Sequence, residues 1–572
     1  MNRRQFLQWP ALLWPLSIGC ASRLARDANG TEMAADVVIV GGGLGGVAAA
    51  LAACESGCRV ILTEETDWVG GQSTAQGVPP DEHPWIEEFG CARSYRRYRE
   101  AVRQFYRDHR PLIAAARANP RLNPGNGWVS RLCHEPAASL AVLEAMLEPH
   151  LTAGRLRVLL FHAPVAATTD RDHVRSVTVQ DHREGTRRVL VAPFFIDATE
   201  LGDLLPLTGA EFVTGSEARR ETGEPHAPGT ARPDNQQACT FCLAIEHLPG
   251  ECHVADAPPG YAFWRHYVPR LTPPWPGPLL SWRHSHPVTL EPRELPFDPT
   301  EKAPGANLWT YRRLRDPAVF EPGFARSSVS LVNWPQNDYW LAPLVAAATS
   351  PTAGATPLHS PPAAEAAALS RCLLHWMQTE APRPDGGVGW PGLRPATDVF
   401  GTADGLAKSV YVREARRIRA EFTVCEQHIG TEARQAETGL PRETVRAAGF
   451  EDSVGIGAYR VDLHPTTGGD NYVDFSSLPF QIPLGALLPQ RIENLLPAAK
   501  NIGTTHLTNG AYRLHPVEWN IGEAAGALAA FALRRRESPR HVRDNPRRLA
   551  EFQALLVERG VELAWPAGIR PL

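Results

Sequence analysis

The 572-residue chain lacks three things, and each absence narrows its function. It has no excess of one charge. Its 58 lysines and arginines face 62 aspartates and glutamates, interspersed, for a net charge of −4, so nothing points to nucleic acid or an anionic surface as partner. Beyond its first residues it has no apolar run near the roughly 20 residues of a spanning helix. It also lacks a cysteine framework, because its ten cysteines are scattered. Cys54 and Cys58 sit one helical turn apart and read as packing residues. Cys239-Thr240-Phe241-Cys242 has the spacing of a redox dithiol, yet it lies in a strand-like alternation with no glycine turn or helix after it. No second ligand pair has zinc spacing, so no metal is expected. What remains, 43% hydrophobic and 21% charged, is an ordinary globular composition, long enough for three or four domain-sized units.

At the N-terminus, Asn2-Arg3-Arg4-Gln5-Phe6-Leu7 places paired arginines before an apolar run from Trp9 to Gly19 that Pro10 and Pro15 interrupt. This resembles a twin-arginine export signal. It implies a protein exported to the periplasm after folding, and residues 1–30 are set aside from the fold. Ser17-Ile18-Gly19-Cys20 is similar to a lipoprotein cleavage site, apart from Ser17 where leucine is usual. A lipid anchor at Cys20 is thus the one membrane contact considered.

The densest signal is Val37-Val38-Ile39-Val40 followed by Gly41-x-Gly43-x-x-Gly46 and the small residues Val47 to Leu51. It predicts a buried parallel strand, a phosphate-binding turn and a helix packed on the sheet. Gly41 makes the turn, Gly43 brings bare backbone N–H groups to phosphate, and Gly46 lets helix and strand touch, with Leu44 and Gly45 between. Arg59 to Glu64 reads as the next strand. Glu64, with Glu65 beside it, stands about 20 residues on, where an acid accepts ribose hydroxyls.

Gly70-Gly71-Gln72 then resembles the glycine pair that follows the ribose acid in two-dinucleotide-binding-domain flavoproteins, which favours FAD over NAD. Further blocks join it: Asp197-Ala198-Thr199-x-x-Gly202-Asp203 after the strand Phe194 to Ile196, Asp452 to Gly457, Leu495 to Gly503, and Asn509 to Gly526. Together they resemble FAD-dependent oxidoreductases with a glutathione-reductase-like FAD domain, including exported bacterial members of unassigned substrate. The resemblance implies an α/β fold: a Rossmann-type FAD-binding domain with a parallel central sheet, plus a discontinuous α+β substrate/cap domain. Residues 36–77, 135–213 and 480–535 would form the first, residues 78–134 and 214–479 the second, and 536–572 a helical tail. It further implies that Val165 lies near adenine, that Ala198, Thr199, Gly202 and Asp203 close on the pyrophosphate, and that Asn501 follows the last buried strand. A helix opening at His515-Pro516-Val517 would turn its first N–H groups to the flavin.

The expected reaction is hydride transfer from a small organic substrate to flavin N5, with a neighbouring base taking the proton. His515 is the first candidate base and His506 the second, while Arg513 is placed to orient a carboxylate or other anion. His83 and Trp85, Leu308 to Arg313 and Val332 to Tyr339 are candidates for the substrate side. Val412, Ala415, Ile418 and Phe422 have helical spacing, and Arg413, Arg416, Arg417 and Arg419 among them form either a solvated or ion-paired face or an anion clamp. His506 to Leu514 reads as a polar loop. No second Gly-x-Gly-x-x-Gly follows a strand, so reoxidation by oxygen, a quinone or an electron-carrier protein is expected rather than by NAD(P). A redox-neutral lyase or isomerase, or a non-catalytic flavin-binding protein, are the alternatives.

Overall fold

The computed structural model describes residues 32–301, 307–345 and 360–569; the export-signal reading and Cys20 lie outside the described residues. Strand β1 (Val37–Val40) is buried at all four positions, which is why its residues do not alternate with polar ones. It feeds α1 (Leu44–Glu55) and then β2 (Val60–Glu64). After α2 (Arg93–His109) and α3 (Pro136–Thr152), β3 (Leu156–Leu160) adds to the same sheet. An antiparallel excursion of β4 (His162–Asp170), β5 (His173–Asp181) and β6 (Arg187–Val191) returns through β7 (Phe194–Asp197).

A second hydrophobic core is built mostly from residues 238–412. Its antiparallel strands include β8 (Leu243–His247) and β9 (Val329–Val332), with α4 (Pro361–Thr379) against them. Trp309 and Trp334 are fully buried here, their rings 5.9 and 5.7 Å from that of Phe297, so these two build core and do not line a pocket. Beyond β10 (Val461–Leu463), the chain returns to the first sheet with β11 (Leu495–Pro497). It ends in α5 (His506–Tyr512), α6 (His515–Arg535) and α7 (Pro546–Arg559).

The parallel sheet runs β11-β7-β1-β2-β3. Strands from distant parts of the chain therefore flank the glycine turn. Helix α6, buried from His515 to Ala532, lies directly on α1. A Cβ on Gly522 would fall 2.0 Å from the Gly45 carbonyl oxygen, and one on Gly526 2.2 Å from that of Ala49. The two helices are thus in backbone contact, which only glycine permits.

Two local expectations are corrected. Residues 409–425 are not helical: Arg417–Ile418 pairs with Phe212–Val213, and Tyr411, Ala420 and Val424 bridge to Thr240, Pro489 and Thr504. Pairing with distant strands outweighs a local period that was only coincidental. His506–Tyr512 is a helix and not a loop, because Thr505 and Thr508 cap each other reciprocally at its start.

Candidate functional site

The carboxyl ends of β1, β2 and β7 open a cleft of about 470 Å³ where the sheet order reverses, the place where open α/β sheets bind ligands. Gly41 (φ 103°) turns so tightly that a Cβ would lie 2.2 Å from the Ala198 oxygen. Gly42 donates its N–H to Glu64 Oε2 at 3.0 Å, and Thr66 gives Oε1 its N–H and hydroxyl at 2.8 and 2.7 Å. Burial outweighs these bonds and pushes the Glu64 carboxyl up to about 7. Glu65, half-buried in the same wall, is held well above the usual range by burial and then by Glu64, Asp203 and Glu200.

Ala198, Thr199 and Asp203 line the cleft opposite, together with Ala163 and Pro164; Val165 stands one residue beyond that lining. Asp197, pushed up to about 7 by burial, shapes this loop by accepting from the Thr199 N–H and hydroxyl and from the Leu204 N–H. Gly202 (φ 67°) turns it. Asn501 donates to the Asp197 carbonyl at 3.0 Å, bracing β7 from behind.

Where α1 meets α6, a buried charge cluster appears. Glu518 Oε1 accepts the Gly45 N–H at 3.2 Å, and its other oxygen accepts from the Gln72 amide, which also donates to the Arg513 carbonyl at 3.0 Å. Lys500, wholly buried, pairs with Glu200 and lies 3.8 Å from Glu518. Burial holds Glu518 above the ordinary carboxyl range. Gly70 closes the arrangement by donating to the Gly42 carbonyl, and Gly71 stands against Gly43. Sequence reasoning missed Glu200, Lys500 and Glu518; the available signal was an acid inside an otherwise small-residue helix.

The segment after Ser409, which lines the cleft, leads to a second polar cluster. Arg513 donates to the Tyr411 hydroxyl at 3.0 Å and the Asp462 carbonyl at 3.2 Å. Arg312 lies over the Tyr311 ring, 3.5 Å from Asp81. His515 belongs here, but both of its ring nitrogens are committed. Nδ1 accepts the Asp81 N–H at 3.2 Å, so Nε2 carries the proton and donates to the Val78 carbonyl at 3.1 Å. Burial lowers its pKa to about 4. It has no lone pair left for a substrate proton. Val517, one turn into α6, is buried beside Gly457.

His506 Nδ1 lies 3.0 Å from Glu414, which also pairs with Arg417. Arg413 meets Asp338 at 3.0 Å and Arg416 meets Asp203 at 2.8 Å, so three of the four arginines are buried or half-buried in ion pairs, not solvated. His83 is a packing residue, bonded to the Gly90 carbonyl and stacked edgewise on Trp565.

The cluster contains a histidine that sequence reasoning did not single out. His464 Nδ1 lies 2.5 Å from Asp338 Oδ2. Burial raises the Asp338 carboxyl, but Arg413 and His464 outweigh it and hold the group near about 2. Burial and then Arg413 lower His464 against the pull of Asp338. An ionised aspartate fixes the proton on Nδ1 and leaves the lone pair on Nε2. Nothing local marks the pair, since 126 residues separate its members.

The model of the FAD dependent oxidoreductase family matches residues 36–556. The chain belongs to this family. It is an FAD-dependent oxidoreductase, and FAD is its cofactor. The residues present fit that cofactor: Gly41 to Gly43 line the cleft with no side chain in the way, and Glu64 keeps a lone pair to spare for ribose hydroxyls. A search of curated proteins finds no match. Among solved structures, E. coli quinol fumarate reductase FrdA is similar over 93% of this chain and 74% of that one, at 12% identity and TM-score 0.30. L-proline dehydrogenase from P. horikoshii is similar over 33% of this chain and 25% of that one, at 15% identity and TM-score 0.16. Mycobacterium smegmatis Sdh1 is similar over 36% and 45%, at 14% identity and TM-score 0.21. The chain thus spans less than half the length of the last two.

Among the described residues, no helix is long and apolar enough to cross a membrane, and no group of three or more His, Cys, Asp or Glu could hold a metal ion.

Proposed function

We propose that this enzyme oxidises a small organic substrate by two electrons, with His464 as the base. When bound, FAD supplies the acceptor: hydride leaves a substrate C–H for flavin N5 while the adjoining O–H or N–H gives up its proton, leaving C=O or C=N. His464 Nε2 receives that proton, and Asp338 holds the ring in the tautomer that can receive it and offsets the charge that develops. The Asp338–His464 pair, joined to Arg413, is the observation that carries the reading. His515 has a positioning role, tying the Val78 to Asp81 loop to the start of α6. The second core, with residues 78–134, covers the substrate side. Oxygen, a quinone or an electron carrier takes the electrons onward, consistent with a single glycine fingerprint after a strand, and the N-terminal arginine pair exports the folded enzyme.

The test is anaerobic mixing of the holoenzyme with alcohols, amines and organic acids, followed by loss of visible flavin absorbance. With a substrate in hand, His464→Asn should retain FAD and slow flavin reduction about 10²- to 10⁴-fold. An unchanged rate removes His464 from catalysis, and turnover without any acceptor would establish a redox-neutral enzyme instead.

A further inference from the structure

We propose that Arg312 and Arg513 form the binding site for a carboxylate group of the substrate. This rests on the oxidoreductase reading and names the substrate class. Arg312 has a side chain only 11% exposed, yet its Nε and Nη1 groups have no hydrogen-bond partner. The Asp81 oxygen nearest to it, at 3.5 Å, is too far to satisfy them. Arg513, 3% exposed, spends two N–H groups on neutral oxygens, those of the Tyr411 hydroxyl and the Asp462 backbone, and leaves Nε unfilled.

Two arginines buried in structural ion pairs look different from Arg312. Arg99 makes four bonds to Glu82 and Glu87, and Arg417 bonds both Glu414 and Glu217. Buried guanidinium donors left open carry the full desolvation penalty, which an incoming acceptor removes. A carboxylate offers two coplanar oxygens to such a fork.

The surroundings select a single negative charge. Asp81 faces Arg312 at 3.5 Å, and Asp462 lies 3.6 Å from Arg513. With two carboxylates beside the two guanidiniums the four charges already balance, so a monoanion meets less repulsion here than a phosphate dianion does. Arg513 is tied to the same stretch of chain as the base, because it bonds the Asp462 backbone oxygen two residues before His464.

The probes are benzoate and propionate, their neutral counterparts benzamide and propionamide, and inorganic phosphate, titrated against the holoenzyme. Perturbation of the flavin visible spectrum and the Tm are the readouts. Carboxylates should bind saturably and at least tenfold more tightly than the amides or phosphate. Arg312→Gln should weaken carboxylate binding at least tenfold, with partial recovery in Arg312→Lys. Amides binding as tightly as acids, phosphate binding best, no carboxylate binding at all, or full affinity in Arg312→Gln would each overturn the proposal. If Arg312→Gln fails to retain FAD, the acid and amide pairs decide on the wild type alone. Rapid flavin reduction by a neutral substrate in Arg312→Gln would sink the carboxylate site and leave the oxidoreductase reading standing, whereas failure of every compound to bleach the flavin would count against the latter.

Discussion

Gly522→Ala tests the contact that joins the two ends of the chain. The added Cβ would lie 2.0 Å from the Gly45 oxygen and 2.6 Å from its Cα and carbonyl carbon, where ordinary contact begins at 3.4 Å. The helices must part by about 1.4 Å, and neither has space to retreat, since α1 is buried from Leu44 to Cys54 and α6 from His515 to Ala532. Overpacking of this kind costs about 1–3 kcal/mol, and more in a rigid setting. Losing the Gly45 N–H bond to Glu518, four residues before Gly522 on α6, adds about 1.5–3 kcal/mol as a bond to a charged group. The better helix propensity of alanine returns at most ~1 kcal/mol. The net loss is therefore about 3 kcal/mol, concentrated where the glycine turn must keep its shape. The assay is Tm together with FAD retained per chain after gel filtration. Tm should drop by several degrees and FAD content should fall. Gly229→Ala, with nothing within 4 Å of its Cβ, should change neither. A Gly522→Ala protein with wild-type Tm and full FAD would refute the reasoning.

Lys500→Met leaves the Glu200 and Glu518 carboxyls buried without their cation and should cost about 3–5 kcal/mol in thermal or denaturant unfolding, part of it restored by Glu200→Gln in the same chain. No loss on the single change would show that the cluster is uncharged. Burial raises Asp197 from 3.8 to about 7, so its stabilising contribution is complete below pH 3.8 and is lost as pH rises through 7. Wild-type stability relative to Asp197→Asn, from paired calorimetry, should thus decline between pH 4 and 7; a constant or growing difference contradicts this. Burial pushes the Cys239 and Cys242 thiols up to about 12 and neither is bonded, whereas Cys252 is exposed. Iodoacetamide should label Cys252 and spare that pair in the native protein, and a Cys239–Cys242 disulfide found by mass spectrometry would rule the assignment out.

The residues from Val37 to Gln72 were legible because each requirement is local. A buried strand wants β-branched residues, a phosphate turn wants glycine at fixed offsets, and the acid follows at the end of the next strand. Helical spacing misled at residues 409–425, where Val412, Ala415 and Ile418 are buried in a segment that pairs with distant parts of the chain. A few apolar residues at helical spacing cannot tell a helix from an irregular extended segment.

The sequence by itself determined the strand-turn-helix-strand unit that receives a dinucleotide, because this depends on backbone geometry within about thirty consecutive residues, and the resemblance of further blocks along the chain to a flavoprotein family pointed to FAD. Only the tertiary structure decided which polar side chains are free to act. It committed both nitrogens of His515 to the Val78 to Asp81 loop, set Asp338 against His464, buried Lys500 between two acids, and left Arg312 and Arg513 with open donors. Whether a titratable group is spent or available depends on partners hundreds of residues away and on the water excluded around it, and neither is written in the local pattern.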